Sequence, residues 1–309
     1  ARPTSTGVRA RRARAREVLV EHLSARRAWR VSAVVCSLSA ALALSVASGR
    51  VQEAEARSAP PPTTIRREPP PKPEPPPLPN GPIYLNDARG TPNVLAYPAR
   101  KASAAPRPPA VMLHGMCDEP EWECPHFASA TTDRGFLVCP RANLRCEGGG
   151  SIWSADPRFA ASIEASIARI AAEYPAHVDA GGGRTLIGFS LGAIRAVDLA
   201  NSGGGKWRSV IAIAAKVYPR AEALRRAGVE RIVLAAGDHD MMKWHMVGEA
   251  KKLARAGFPV AFMSMGKVGH TFPKDMNARM SRAMAWASGD DSAFIPSGAG
   301  EMVFTPERK

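Results

Sequence analysis

The chain has 309 residues, enough for one large domain with its own core plus an extension. Its net charge of +14 is divided unevenly: residues 1–82 hold 14 Lys and Arg against 6 Asp and Glu, a net of +8, and residues 83–309 hold 28 against 22, a net of +6. The folded part is thus only mildly basic, and with no zinc-finger spacing or aromatic RNA-binding motif it excludes nucleic acid as an expected partner.

Residues 1–30 form a basic amino-terminal region with nine arginines and two glutamates. Residues 31–49 carry no charge, and at about 1.5 Å per residue such a run is just long enough to span a bilayer. The arginines before it keep the amino-terminal side cytoplasmic and send the remainder across. Ala47-Ser48-Gly49 resembles a signal-peptidase site, so a signal anchor and a cleaved signal peptide are both open. A lipoprotein at Cys36 is disfavoured because the preceding Val35 is bulky. Between Pro60 and Pro82 twelve of 23 residues are proline, which makes 50–82 a disordered linker and a stiff spacer of about 3.1 Å per residue. The expected protein is extracytoplasmic, membrane-tethered through 31–49 or secreted, in the periplasm or cell envelope if bacterial.

Residues 83–290 read as the folded domain and 291–309 as a tail. Ile83-Leu85 and Val94-Tyr97 are strand-like pieces around a turn-rich link suited to a hairpin. Apolar runs without alternation follow at Ala110-Leu113, Phe136-Cys139, Thr185-Ile187, Val210-Ile213, Ile232-Ala235 and Val260-Met263, as expected of strands covered on both faces. Helices are expected between them: one opened by Asp156-Pro157, with Phe159, Ile163, Ile167, Ile170 and Tyr174 on one stripe, and others at 191–200, 220–227, 246–255 and 275–286. Strand and helix in alternation give an eight-stranded, mostly parallel α/β sheet with helices on both faces, whose functional groups collect at the carboxyl ends of the strands.

Cys117, Cys124, Cys139 and Cys146 lie within thirty residues of one another, and beyond an export signal they suggest two disulfides with three possible connectivities. The six-residue gaps within Cys117/Cys124 and Cys139/Cys146 are too long for the usual zinc pairs. The glycine triplets at 148–150 and 181–183 lack the spacing of a dinucleotide site, and no cofactor is expected. Asp238, His239, Asp240 and His245 could ligate a metal, but one aspartate is needed elsewhere, so no metal is expected.

Three motifs carry the chemistry. Gly188-Phe189-Ser190-Leu191-Gly192 places a serine between two glycines where a strand runs into a helix; Gly237-Asp238-His239-Asp240 and Gly269-His270 follow the last two strands. With Leu113-His114-Gly115-Met116 upstream, the order resembles the α/β-hydrolase fold in its uncapped branches, the dienelactone-hydrolase-like and small esterase enzymes. The resemblance implies Ser190 as nucleophile, His270 as base and Asp240 as acid, with Asp238 as the alternative acid. It also implies an oxyanion hole from the N–H groups of Leu191 and Met116, with His114 either supporting the hole or simply packed. Met116, Met241, Met242, Met246, Trp153 and Trp244 either line an apolar acyl pocket or pack as ordinary core and loop residues. The expected activity is that of a serine hydrolase acting on a small-molecule or acyl substrate such as a carboxylic ester. A peptidase of the same fold and an inactive envelope-binding domain are the alternatives, and oligomeric state is open.

Overall fold

The computed structural model describes residues 76–87, 90, 92–294 and 302–304. The expectations for 1–30, 31–49 and most of 50–82 lie outside these residues. Among the described residues no helix is long and apolar enough to cross a membrane.

The eight expected strands are β1 (Ile83–Asn86), β2 (Pro92–Tyr97), β3 (Ala110–Leu113), β4 (Leu137–Pro140), β7 (Arg184–Phe189), β8 (Trp207–Ile213), β9 (Arg231–Ala236) and β10 (Val260–Ser264), with β5 (Leu144–Arg145) and β6 (Ser151–Ile152) as a separate small hairpin. A ninth strand, β11 (Met302–Phe304), lies within 291–309, expected as a tail, and pairs antiparallel with β10. The large sheet runs β1-β2-β4-β3-β7-β8-β9-β10-β11. Pairing from β4 through β3 to β10 is parallel, while β1, β2 and β11 are antiparallel.

The lack of alternation in the apolar runs has a direct cause. Val111 and Leu113 of β3, Leu186 of β7, Val210 and Ala212 of β8, and Val260 and Phe262 of β10 enter one core; their neighbours Met112, Ile187, Ile211, Ile213, Ala261 and Met263 enter the other. Side chains alternate as in any strand, but both faces are dry. The first core is completed by α3 (Arg158–Glu173), α4 (Leu191–Ser202), α5 (Ala221–Arg226) and α6 (Lys243–Arg255). The second is completed by α2 (Pro125–Thr132) and α7 (Met276–Ala287). A one-turn helix, α1 (Pro120–Glu123), precedes α2. Helix α3 begins one residue later than expected, yet the Asp156 carboxylate still accepts the Arg158 N–H at 2.9 Å, so its capping function is retained.

From β3 the chain steps to β4 on one side, and then crosses back so that β7 pairs with the other side of β3. Strand order therefore reverses between β3 and β7, the place where an open α/β sheet leaves a crevice at its carboxyl edge. The loops following β3 and β7 flank that crevice.

Two disulfides are present, Cys117–Cys146 and Cys124–Cys139. The first joins the loop after β3 to the β5–β6 hairpin, and the second ties the junction of α1 and α2 to β4.

Candidate active site

Strand β7 ends at Phe189, and Ser190 turns the chain into α4 with φ 53° and ψ −120°. That backbone is costly for a residue with a Cβ, on the order of 1–3 kcal/mol, and must be held by its surroundings. The Ser190 N–H donates to the Ile213 carbonyl at 2.9 Å, and the Ser190 carbonyl accepts from the Ala193 and Ile194 N–H groups at 3.1 and 3.2 Å. A Cβ on Gly188 would fall 2.4 Å from the Gly192 carbonyl oxygen, and one on Gly192 would fall 2.0 Å from that of Leu113. The flanking glycines are thus required by backbone packed on backbone. Among the described residues, the non-glycine positions with positive φ are Cys117, Ser190 and Ala214, which follow the carboxyl ends of β3, β7 and β8.

His270 lies on the loop after β10. The Ser190 hydroxyl is 3.0 Å from His270 Nε2, and His270 Nδ1 is 3.0 Å from Asp240 Oδ2. A carboxylate only accepts, so Nδ1 carries the hydrogen and Nε2 is left to accept from the hydroxyl. Asp240 is buried, and its other oxygen accepts the Met242 N–H at 2.8 Å, which fixes the carboxylate at the entry to α6. Asp238 instead meets Lys243 Nζ at 2.8 Å and the Ser264 hydroxyl at 2.9 Å, and the ammonium holds its carboxyl below the usual range. The Phe189 ring packs 5.0 Å from the His270 ring and 4.5 Å from that of Phe272, giving the imidazole an aromatic backing that sequence spacing does not reveal.

Leu191 is the first residue of α4, where an N–H has no acceptor within the helix. Met116 sits on the loop after β3, and that loop runs beside the serine: a Cβ on Gly115 would stand 3.6 Å from Ser190 Cβ. The Cys117–Cys146 disulfide braces the loop, as does the Asp118 carbonyl, which accepts the Ser151 N–H at 3.1 Å.

Beneath it lies His114, fully buried. Its Nδ1–H donates to the Gly115 carbonyl at 2.8 Å, its Nε2 accepts the Ala142 N–H at 3.0 Å, and its own carbonyl accepts the Trp153 indole N–H at 2.9 Å. Burial pushes its pKa from 6.5 down to about 4, so the ring is neutral at pH 7. A histidine with a lowered folded-state pKa contributes stability that is present above 6.5 and lost as pH falls through about 4. Urea unfolding at pH 7 and at about pH 4 is expected to differ by up to about 3 kcal/mol from this group, and the difference should shrink in His114→Gln; equal pH dependence in both proteins would contradict it.

An open cavity of about 610 Å³ adjoins the serine, lined by Ser190, Ile194, Ala214, Ala215, Lys216, His239, Asp240, Met241, Met242 and His270. Of the residues considered for an acyl pocket, only Met241 and Met242 line it. Met246 and Trp153 are buried in the core, held there by the Ala215 N–H on the Met246 sulfur and by the indole bond to His114, while Met116 and Trp244 are exposed. A somewhat larger cleft, about 680 Å³ between residues 78–82 and α2, contains no nucleophile with a base beside it. Asp238, His239, Asp240 and His245 do not converge, since His245 Nε2 meets the Val217 carbonyl and the aspartates are engaged as described. Among the described residues no group of three His, Cys, Asp or Glu side chains could hold a metal ion.

No protein-family model matches the chain, and no curated protein matches it. Solved structures do. An uncharacterized protein from Bacillus cereus superposes with a TM-score of 0.51 at 14% identity, over 60% of this chain and 60% of that one. The fold is the α/β-hydrolase fold. FphF, a fluorophosphonate-binding serine hydrolase of Staphylococcus aureus solved with substrate bound, gives 0.49 at 14% identity over 68% and 98% of the two chains, and esterase PE8 gives 0.47 at 20% over 62% and 97%. Within the α/β-hydrolase fold, residues 214–230 between β8 and β9 hold only the short helix α5, so no separate lid stands over the cavity among the described residues.

Proposed function

We propose that the chain is an exported serine hydrolase that cleaves carboxylic esters or related acyl bonds. The observation that carries this reading is the unbroken line of hydrogen bonds from Ser190 Oγ through His270 to the buried Asp240. A serine hydroxyl is a weak nucleophile until a base takes its proton, and His270 Nε2 lies in position to do so as Oγ attacks the acyl carbon. Asp240 keeps the ring in the required tautomer and stabilises the imidazolium. The N–H groups of Leu191 and Met116 receive the developing oxyanion, a donor of this kind contributing roughly 3 kcal/mol. His270 then returns the proton to the departing alkoxide. Water repeats the sequence on the acyl-Ser190 ester and releases the acid.

The cavity walls suit an acyl group of modest size, with Met241, Met242, Ile194 and Ala214 supplying apolar contact. Two disulfides support an oxidising compartment, in keeping with the export signal expected in 31–49. The test is hydrolysis of p-nitrophenyl esters of graded chain length beside a panel of peptides. Ester turnover that falls to background in Ser190→Ala is the expected result. Cleavage of peptides alone would indicate the peptidase alternative, and no turnover of either would leave a binding domain.

A further inference from the structure

Glu123 stands in the acidic stretch Glu119, Glu121 and Glu123, yet it is only 2% exposed. Its Oε1 accepts the Gly115 N–H at 2.8 Å. Gly115 leaves just enough room for this, because a Cβ there would lie 2.9 Å from the same oxygen.

In the peptide joining His114 to Gly115, the carbonyl is held by the Trp153 indole N–H and the N–H by Glu123. In the next peptide, Gly115 to Met116, the carbonyl is held by His114 Nδ1–H, and in a trans peptide the N–H points the opposite way. That N–H belongs to Met116. Two successive peptide planes are therefore pinned around a glycine, the residue type freest to rotate. If the first plane turned, the bond from His114 would be left to hold the second alone, and a carbonyl swung toward the serine would stand where a donor is needed.

Resting on the serine-hydrolase reading above, we infer that Glu123 is a positioning residue: its buried carboxyl fixes the Gly115 peptide from beneath and so aims the Met116 N–H at the oxyanion. The groups around it fit that task. Arg141, from the segment after β4, pairs with Glu119 and Glu121, and Arg145 reaches Glu119 at 3.8 Å. His114 is neutral, and the neighbouring cysteines are disulfide-bonded. Asp118 is left as the acid facing Glu123. Burial first, and then Asp118, pushes the Glu123 pKa up to about 9. At neutral pH Glu123 accepts the N–H without setting a negative charge beside a developing oxyanion, and Gln is its isosteric, uncharged mimic.

The experiment compares the full chain with Glu123→Gln and Glu123→Ala, disulfides intact, on one p-nitrophenyl ester from about pH 6 to about pH 10. Glu123→Ala is expected to lose on the order of 10- to 100-fold in kcat with KM little changed. Glu123→Gln is expected to stay within about threefold of the wild type at pH 7 and to lack the fall in kcat that the wild type shows as Glu123 ionises near pH 9. Unimpaired kcat in Glu123→Ala, or the same alkaline fall in Glu123→Gln, overturns the inference. If Glu123→Ala does not fold, the alkaline arm of Glu123→Gln decides alone. A wild-type chain with no Ser190-dependent turnover overturns the hydrolase reading and this inference together, whereas an active wild type beside an unimpaired Glu123→Ala overturns the inference only.

Discussion

Turnover of an ester by His270→Ala is expected to fall by on the order of 10⁴-fold or more, while the unfolding free energy stays within about 0.5 kcal/mol of the wild type. The reason for the asymmetry is exposure. The His270 side chain is 47% exposed, so its removal opens no cavity in the core. In contrast, Ser190 loses its one adjacent base, and its hydroxyl reverts to an ordinary alcohol. Asp240→Asn should lower turnover by a comparable factor, because an amide can present its N–H to Nδ1 and reverse the tautomer, leaving the hydrogen on Nε2 where the serine needs an acceptor. Asp238→Asn should leave kcat nearly unchanged, since Asp238 contacts Lys243 and Ser264 and not the imidazole. Steady-state kinetics on the three variants checks the set. A kcat in His270→Ala close to wild type would move the base elsewhere, and a large loss in Asp238→Asn alone would exchange the two acids.

The second large effect is structural. Gly192→Ala places a methyl 2.0 Å from the Leu113 carbonyl oxygen and 2.6 Å from that of His114. Both obstacles are backbone, so no side-chain rotation relieves the clash, and the start of α4 must move away from the end of β3. Overpacking of this kind costs on the order of 3 kcal/mol or more. It also separates the start of α4, which carries Leu191, from the loop that carries Met116, so activity should fall with stability. Thermal unfolding followed by circular dichroism, with an ester assay on the folded fraction, measures both. An unchanged midpoint together with unchanged activity would contradict the packing described for the elbow.

Much of this was legible in the sequence because its signals are local. The six continuous apolar runs became strands of a sheet buried on both faces, and a serine between glycines after such a run became a strained turn. The elements that escaped are short. Strand β11 is three residues at a sheet edge, and β5 and β6 are two each, lengths at which no periodicity can be read. Helices α1 and α2 did have a readable signal, since Pro120 and Pro125 each stand at a first helical position, but they are only four and eight residues long. Met246 and Trp153 were candidates for the pocket because hydrophobicity does not distinguish a cavity wall from a core; the helical face of α6 and the indole bond to His114 put them inside. Glu123 could not be identified from its neighbours, because its burial results from contacts of α1 with a loop eight residues away and from two disulfides whose connectivity the spacing left open.

The central claim is that Ser190 is an activated nucleophile. Its most direct test is intact-mass analysis of the purified chain after treatment with a fluorophosphonate, with peptide mapping of any adduct. One adduct per chain on Ser190, absent from Ser190→Ala and strongly reduced in His270→Ala, is the expected result. A wild-type protein that stays unmodified, or carries the adduct on another residue, would contradict it.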